Sequence, residues 1–202
     1  MSTRRVPTQQ RSRDRLARIA RAAGELCAEA GADAVTMEGI AVRAGTSIGS
    51  LYQFFPNRDA LLHFVAERYV EDLGRLLEPE EDPDAAHLPL EGLVDAMLSP
   101  FESFHRTHPG YFAVLFAPQG SAALATLRGR LREQLVARVE RLLQLRAPDL
   151  PAARRRSLAL TSVEAARALL QYAETHLPPA RRRTMRDELR AMLVAYLERA
   201  GV

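Results

Sequence analysis

The stretch from Thr36 to Phe55 most constrains the fold, because two short helical patterns flank a glycine there. In the first pattern, apolar residues recur on one face: Met37, Ile40, Ala41 and Ala44. The Thr36 hydroxyl can cap this helix, and Gly45 is the predicted stop, since a residue just past a helix end often adopts positive φ. Thr46 and Ser47 can then cap a second helix, predicted over residues 47–54. The stretch predicts a helix-turn-helix.

The second helix is predicted to turn its polar side chains outward and to bury Leu51 and Phe55. The outward polar residues are Ser47, Ser50, Tyr52 and Gln53. Hydroxyl and amide groups can reach base edges, and a tyrosine hydroxyl can reach a phosphate. Gly49 lets the backbone approach a groove closely. This pattern favours a DNA-recognition helix over the alternative, a helix-turn-helix used only for packing.

The block Thr36–Leu62, which ends in SLYQFFPNRDALL, closely resembles the N-terminal DNA-binding domain of the tetracycline-repressor (TetR) family of bacterial regulators. The matching positions are Thr36, Ile40–Ala41, Ala44–Gly45, Leu51–Tyr52, Phe55, Asn57 and Leu61. The resemblance implies that the second helix enters the major groove, that Tyr52 contacts the DNA backbone and that Arg58 holds a phosphate. Arg58 replaces a more usual Lys and keeps the charge. Ile48 is apolar at a position that can meet DNA, where it either contacts a thymine methyl or packs.

Pattern and resemblance together predict a set of DNA-contacting residues: Thr36, Arg43, Ser47, Ile48, Gly49, Ser50, Tyr52, Gln53 and Arg58. The charge distribution agrees with this prediction. Residues 1–58 hold nine arginines against five acids, and the rest of the chain holds nineteen against twenty. Neutralisation of DNA phosphates requires such an excess of positive charge near the predicted DNA-recognition helix. In the predicted flexible tail, Arg4 and Arg5 either reach a minor groove or remain solvated.

Composition predicts an all-α fold, because Leu, Ala, Arg and Glu dominate and no alternating strand pattern is present. The predicted organisation is a flexible basic tail (1–11), a three-helix helix-turn-helix domain (12–58), a connecting helix (59–77), an acidic linker (78–88) and a C-terminal helical ligand-binding and dimerisation domain (89–202). The first helix is predicted over Ser12–Ala30. Helices of the C-terminal domain are predicted at about 89–106, 109–117, 120–146, 151–176 and 179–200, with Pro100 kinking or splitting the first.

Aromatic residues are concentrated between Phe101 and Phe116, and they predict a pocket for an apolar or aromatic ligand. The predicted lining is Phe101, Phe104, His105, Tyr111, Phe112 and Phe116, with Tyr172 from a later helix. The alternative is that these rings form the core of a Leu- and Ala-rich domain. His105 and His108 have a spacing that suits a metal ion, but no third ligand is signalled nearby, so a metal site is not favoured. No catalytic or cofactor motif is present, and we expect neither an enzyme nor a cofactor.

The last two predicted helices carry apolar stripes that predict a homodimer interface. Their residues are Leu158, Ala165 and Leu169, with Met185, Leu189, Met192, Leu193 and Tyr196 on the final helix. A lone helix-turn-helix reads too few bases, whereas two-fold pairing places two readers about one DNA turn apart. The resemblance likewise implies a four-helix dimer interface. The alternative is that both stripes only pack within their own domain.

Cys27 is the single cysteine, on the apolar face of the first helix, and no intrachain disulfide is possible. No apolar run predicts a signal peptide or a membrane span, so we expect a cytoplasmic protein. The predicted function is a repressor that a small apolar or aromatic effector releases from a palindromic double-stranded DNA operator. Two alternatives remain: a DNA-binding protein without an inducer, and a helical interaction module that does not bind DNA.

Overall fold

The computed structural model describes residues 6–77, 87–117 and 121–202, and every regular element within those ranges is helical. The predicted all-α fold is confirmed. In chain order the helices are α1 (Val6–Ala30), α2 (Met37–Arg43), α3 (Ile48–Phe54), α4 (Arg58–Leu77), α5 (Leu90–Thr107), α6 (Tyr111–Leu115), α7 (Ala122–Arg146), α8 (Ala152–His176) and α9 (Pro179–Arg199). A single turn of 3-10 helix, Ala32–Ala34, lies between α1 and α2.

Helix boundaries follow the predictions closely, with two differences of physical interest. Helix α1 begins at Val6 instead of Ser12, so residues 6–11 of the predicted flexible tail are helical. Pro7 is tolerated there because the first turn does not need its missing N–H group. Helix α5 continues through Pro100 without splitting, and apolar residues on both sides of the proline, among them Leu98 and Phe104, are buried. Arg4, Arg5 and most of the acidic linker (residues 78–86) lie outside the described residues.

The chain forms two compact units, Met1–Val70 with His105–Leu127, and Glu71–Phe104 with Arg128–Val202. The core of the first unit is built from the apolar faces of α1, α2, α3, α4 and α6. Its most buried members include Ile19, Cys27, Ile40, Leu51, Leu61, Val65 and Leu115. This compact unit differs from the predicted helix-turn-helix domain (12–58), because it also contains residues 105–127, which the sequence places in the C-terminal domain (89–202). Within the unit, α6 packs against α1.

Two glycines allow α1 and the turn before α6 to meet backbone to backbone. A Cβ atom on Gly24 would overlap the Tyr69 hydroxyl and lie 2.6 Å from the carbonyl oxygen of Pro109. Gly110 has a φ of 74°, and a Cβ atom there would overlap the carbonyl oxygen of Gly24. The Tyr69 hydroxyl donates a hydrogen bond of 2.6 Å to the Pro109 carbonyl. Because no side chain fits between them, these segments are held at a fixed separation.

In the second unit, α8 and α9 pack against each other through small and branched apolar residues. The buried residues include Leu158, Ala159, Ala166 and Ala173 on α8, and Leu189, Leu193 and Leu197 on α9. Charged pairs tie both helices to their neighbours. Arg190 of α9 pairs with both carboxylate oxygens of Asp95 at 2.5 and 2.8 Å. Arg156 of α8 pairs with Glu140 of α7 at 2.9 Å.

Candidate nucleic-acid interface

Local hydrogen bonds fix the turn between α2 and α3. The Thr36 hydroxyl oxygen accepts a hydrogen bond of 3.1 Å from the Gly39 amide and caps α2. Gly45 adopts a φ of 62°, and the amide of Thr46 donates to the Ala41 carbonyl at 3.0 Å. The predicted cap and the predicted glycine stop are therefore confirmed. Together they set the direction in which α3 leaves the turn.

Helix α3 buries one face and exposes the other, as its sequence predicts. Leu51 is fully buried and Phe55, just past the helix, is nearly so. On the outer face Tyr52 is 49% exposed and Ile48 is 38% exposed, and Gln53 is also exposed. The helix therefore presents apolar, aromatic and amide groups together on one side of the unit.

The hydroxyl of Ser47 has a role inside the protein. Its oxygen accepts a hydrogen bond of 3.2 Å from the Ser50 amide and caps α3. Ser50 itself is only partly exposed. Thr36 and Ser47 each use one hydroxyl lone pair within the fold and keep the O–H group, which can still donate to a phosphate. Among the predicted contacts within α3, Ile48, Tyr52 and Gln53 are the exposed side chains.

Gly49 lies on the exposed face of α3 with nothing above it. A Cβ atom built at this position has no heavy atom within 4 Å. Its φ is not positive, since the positive-φ glycines of the described chain are at positions 31, 45, 110 and 201. Neither backbone conformation nor packing in the free protein therefore explains why this position is a glycine.

Arg43, predicted as a DNA contact, is held in an ion pair with α1. Its guanidinium donates to both carboxylate oxygens of Glu29, at 2.9 and 2.8 Å, and lies 3.6 Å from Glu25. The hydrogen bonds from Arg43 lower the pKa of Glu29, and Glu29 raises the pKa of Arg43. For Arg43 to contact a DNA phosphate, its ion pair with Glu29 must break. In the free protein the pair fastens the end of α2 to α1.

Arg58 lies at the start of α4 with room to move. Its Nη1 atom donates to the Asp33 carbonyl at 3.0 Å, and its Nε atom lies 3.5 Å from an Asp59 carboxylate oxygen. The Asn57 side chain caps the helix by accepting a hydrogen bond of 2.8 Å from the Ala60 amide, as predicted. Arg58 also lines a cavity of about 190 Å³, whose walls combine Leu62 and other apolar residues with Asp33, Asp59 and Ser121. Because the Arg58 side chain is partly exposed, its guanidinium can turn outward once it leaves Asp33 and Asp59.

Further cations and exposed apolar groups belong to the same unit. Arg11, Arg13, Arg15 and Arg18 of α1 are exposed, and none of the ion pairs among the described residues involves them. Val42 and Phe54 are 83% and 37% exposed. Neither residue is among the predicted DNA contacts, because a single apolar residue beside a helix end gives no signal until its exposure is known.

Four of the predicted pocket residues come together in the first unit. His105 stacks on Phe112 with ring centroids 4.4 Å apart, Tyr111 lies 5.1 Å from both rings, and Phe116 lies 5.9 Å from Phe112. Tyr69 of α4 also joins the group, 6.3 Å from Tyr111. This cluster, His105–Tyr111–Phe112–Phe116, is the part of the predicted pocket whose members contact one another within one unit.

The remaining pocket candidates lie in the second unit. Phe104 is buried there, and Phe101 is partly exposed. Tyr172 is 49% exposed and stacks on His176 at a centroid distance of 4.7 Å. In the described residues no group of three or more His, Cys, Asp or Glu side chains could hold a metal ion.

The predicted dimer residues divide into two groups within the second unit. Leu158, Leu189 and Leu193 are buried between α8 and α9 or their neighbours. Ala165, Leu169, Met185 and Tyr196 remain partly exposed, and Met192 is 43% exposed. Leu160 adds another apolar side chain that is 39% exposed. No helix in the described ranges is long and apolar enough to cross a bilayer.

Cys27 is enclosed in the core of the first unit. Burial raises the pKa of its thiol to about 12, against a smaller lowering effect of the Arg58 charge. A thiol with this pKa stays protonated at neutral pH and is a poor nucleophile. Cys27 therefore acts as a small core residue, as its position in α1 predicts.

The helix-turn-helix with its exposed face belongs to a DNA-binding transcriptional regulator, and comparison with known proteins identifies the family. Residues 19–65 match the model described as bacterial regulatory proteins, tetR family, and residues 89–197 match the model described as Tetracyclin repressor-like, C-terminal domain. Together these matches cover the helix-turn-helix, and the second alone covers more than half of the chain. The chain belongs to the TetR family. The alternative of a helical module that does not bind DNA is not favoured.

Solved structures similar to this chain cover nearly its whole length. A TetR-family transcriptional regulator from Streptomyces coelicolor is 29% identical, with a TM-score of 0.58 over 92% of this chain and 98% of that one. A putative TetR-family regulator from Rhodococcus sp. is 17% identical, with a TM-score of 0.68 over 92% and 97%. FadR from Bacillus subtilis in complex with stearoyl-CoA is 17% identical, with a TM-score of 0.57 over 86% and 96%. At 17% identity the last two show the fold alone. No curated protein sequence matches the chain.

Proposed function

We propose that this regulator is a homodimeric repressor that binds a palindromic operator through α3 and leaves it when a small apolar or aromatic effector binds. The observation that carries the proposal is the outer face of α3. Ile48, Tyr52 and Gln53 are exposed there although the opposite face is anchored by the buried Leu51. Ile48 and Tyr52 lie one helical turn apart and form a small exposed apolar strip beside the Gln53 amide, a combination that a partner surface can cover.

Each outward group has a chemistry that suits one part of a DNA duplex. The Gln53 amide can pair with a base edge in the major groove, and the Tyr52 hydroxyl can donate to a phosphate oxygen. Arg58 supplies a second phosphate contact after turning away from Asp59. The exposed arginines of α1 add sequence-independent attraction, so we expect binding to weaken steeply as salt concentration rises.

Dimerisation is proposed to use the exposed apolar residues of α8 and α9. Met192, Leu169 and Tyr196 stay accessible after the helix pair has formed its own core. Covering them in a second copy removes apolar surface from water. It also supplies the second reader that a palindromic site with half-sites ~34–36 Å apart requires. Leu158, Leu189 and Leu193 support this surface from beneath.

The effector is proposed to bind next to the cluster His105–Tyr111–Phe112–Phe116, which joins α5, α6 and, through Tyr69, the connecting helix α4. Aromatic walls with few polar groups suit an apolar or aromatic ligand. One structure of similar fold, FadR from Bacillus subtilis, was solved in complex with stearoyl-CoA. It supports the binding of a small ligand but not its position in this chain. An effector that favours the DNA-free form by about 1–3 kcal/mol weakens operator binding roughly 5–150-fold.

The regulator is proposed to act in the cytoplasm, where the bacterial chromosome lies, and to have no catalytic role. Repression follows from occupancy of the operator, because a bound dimer excludes other proteins from the same DNA. The function therefore depends on binding equilibria at two sites and on no covalent step.

The test is a selection of random DNA duplexes by the purified protein at ~150 mM salt, where purely electrostatic binding is weak. We expect one palindromic motif with two half-sites. Gln53→Ala should relax the preference at one position in each half-site by about 1–3 kcal/mol. Tyr52→Phe, the matched control, should weaken binding on all sequences alike. Recovery of no motif would contradict the proposal.

A further inference from the structure

Ile48 is an exposed, branched apolar residue at the first position of α3. It follows the capping residue Ser47 and is 38% exposed, while the core contacts of this helix are made by Leu51 and Phe55. Resting on the proposed operator binding, we infer that Ile48 reads the C5-methyl group of a thymine in each half-site.

Ile48 is the first residue of α3, and its side chain is exposed. In a helix-turn-helix, the N-terminal residues of the second helix contact base edges in the major groove. At this end, the Ser47 hydroxyl caps the helix by accepting from the Ser50 amide, and Gly49 has no side chain. Ile48 is therefore the residue that brings an apolar side chain to this end of α3, where base edges are contacted.

The chemistry of isoleucine then selects the base. Its side chain has no hydrogen-bond donor or acceptor, so it would cover the major-groove oxygen, nitrogen or amino groups of other bases without pairing them. The C5-methyl of thymine is the apolar group that the unmodified major groove offers. Contact between the two removes apolar surface of both from water.

Tyr52 extends the same apolar strip. It lies four residues after Ile48, one helical turn along the same face, and is 49% exposed. Gln53, one residue further, provides the amide. Each half-site is therefore expected to contain a thymine read through its methyl group by Ile48, beside a base read through hydrogen bonds by Gln53. In a dimer the thymine recurs at the symmetric position.

The experiment uses the operator found by selection and replaces each thymine in turn by deoxyuridine, which lacks only the C5-methyl group. For the wild-type protein we expect one symmetric pair of positions at which the dissociation constant rises about three- to fivefold per half-site. Ile48→Ala should bind the unmodified operator with a similar loss and show no further loss when uracil replaces that thymine. Its response to uracil elsewhere should be unchanged.

Two controls separate the contact from effects on folding. Val42→Ala removes another exposed apolar side chain, 83% accessible on α2, and should keep the full discrimination between thymine and uracil. The second control places the same C5-methyl group on a different base. With a cytosine at the same position, 5-methylcytosine should bind wild-type protein more tightly than cytosine does, and Ile48→Ala should not distinguish them.

The inference is overturned if no thymine responds to loss of its methyl group, or if Ile48→Ala keeps the wild-type response. Either result can be observed with a protein that binds its palindrome tightly, in which case the proposed function stands and only the role of Ile48 falls. Failure of the wild-type protein to select any motif overturns both. Thermal melts of Ile48→Ala and Val42→Ala that match the wild type show that neither change acts through the fold.

Discussion

Replacing Gly49 by alanine is expected to stabilise the protein and to weaken its binding to the operator. Glycine in a helix costs about 0.5–1 kcal/mol relative to alanine, because it loses more conformational freedom on folding. Gly49 lies within α3, its φ is not positive, and the space above it is empty to 4 Å. The added methyl group meets no neighbour in the free protein, so this gain should appear almost in full.

On DNA the same methyl group is expected to enter the proposed interface between α3 and the groove. Where the backbone of α3 approaches the groove closely, forcing one extra methyl group into the contact costs about 1–3 kcal/mol, by analogy with overpacked protein interiors. Per half-site this corresponds to about a 5- to 150-fold weaker binding. The opposite signs of the two effects set this variant apart from an ordinary destabilising mutation, which lowers stability and activity together.

The measurements are a thermal melt and a titration of the operator at fixed salt. For a chain of this size, 0.5–1 kcal/mol raises the melting temperature by about 1–4 °C. The matched control is Gly129→Ala in α7, where a Cβ atom likewise meets nothing within 4 Å. Gly129→Ala should stabilise the protein and leave operator binding unchanged. Operator binding by Gly49→Ala that equals the wild type would refute the close approach of the backbone, and a lower melting temperature would refute the structural reasoning.

Four further predictions address other parts of the molecule. Tyr69→Phe should lower the free energy of unfolding by about 0.5–1.5 kcal/mol in denaturant titrations, because it removes the hydrogen bond to the turn before α6. Met192→Glu should convert the proposed dimer to a monomer in light-scattering measurements and abolish high-affinity operator binding, since it places a charge among exposed apolar residues. Cys27 should react with a thiol reagent at pH 8 only as the protein unfolds, because a pKa raised from 9.0 to about 12 lowers its thiolate fraction about a thousandfold. Asp95→Asn should lower the melting temperature at pH 7 but have little effect near pH 2. The hydrogen bonds from Arg190 lower the pKa of Asp95 below its ordinary value of 3.8. The ionised carboxylate therefore stabilises the fold above pH 3.8, and this stabilisation is lost as the pH falls through the lowered pKa of the folded protein.

The features that the sequence predicts well are those that local chemistry decides. Thr36, Ser47 and Asn57 each cap the helix that follows them, and each does so through a partner no more than three residues away. Gly45 ends α2 because its own backbone requires positive φ. Since each signal and its effect lie within one turn of helix, no knowledge of the tertiary structure is needed.

Other features depend on residues that are distant in sequence, and these were not predictable. Arg43 is a cation at the end of α2, which suggests a phosphate contact, but its partner Glu29 lies fourteen residues earlier on α1. The segment that begins at His105 follows directly from Phe104, yet the two residues belong to different compact units. Tyr172 is an aromatic residue with a polar hydroxyl, which suits a ligand pocket, but its exposure depends on which side of α8 packs against other helices. In each case the deciding contact comes from another helix.

Three glycines of the first unit show how a structure distinguishes causes that one residue type conceals in a sequence. At Gly45 the backbone adopts positive φ, which favours glycine. At Gly24 the neighbouring residues leave no room for a side chain, because a Cβ atom there would overlap the Tyr69 hydroxyl. Gly49 has neither reason, yet it occupies a helix in which alanine would be more stable. Gly129 of α7 shares both properties, so open space above a helical glycine does not by itself assign it a role. Gly49 differs in its place between Ile48 and Tyr52 on the exposed face of the helix that is proposed to enter the groove, and the comparison of Gly49→Ala with Gly129→Ala tests that difference.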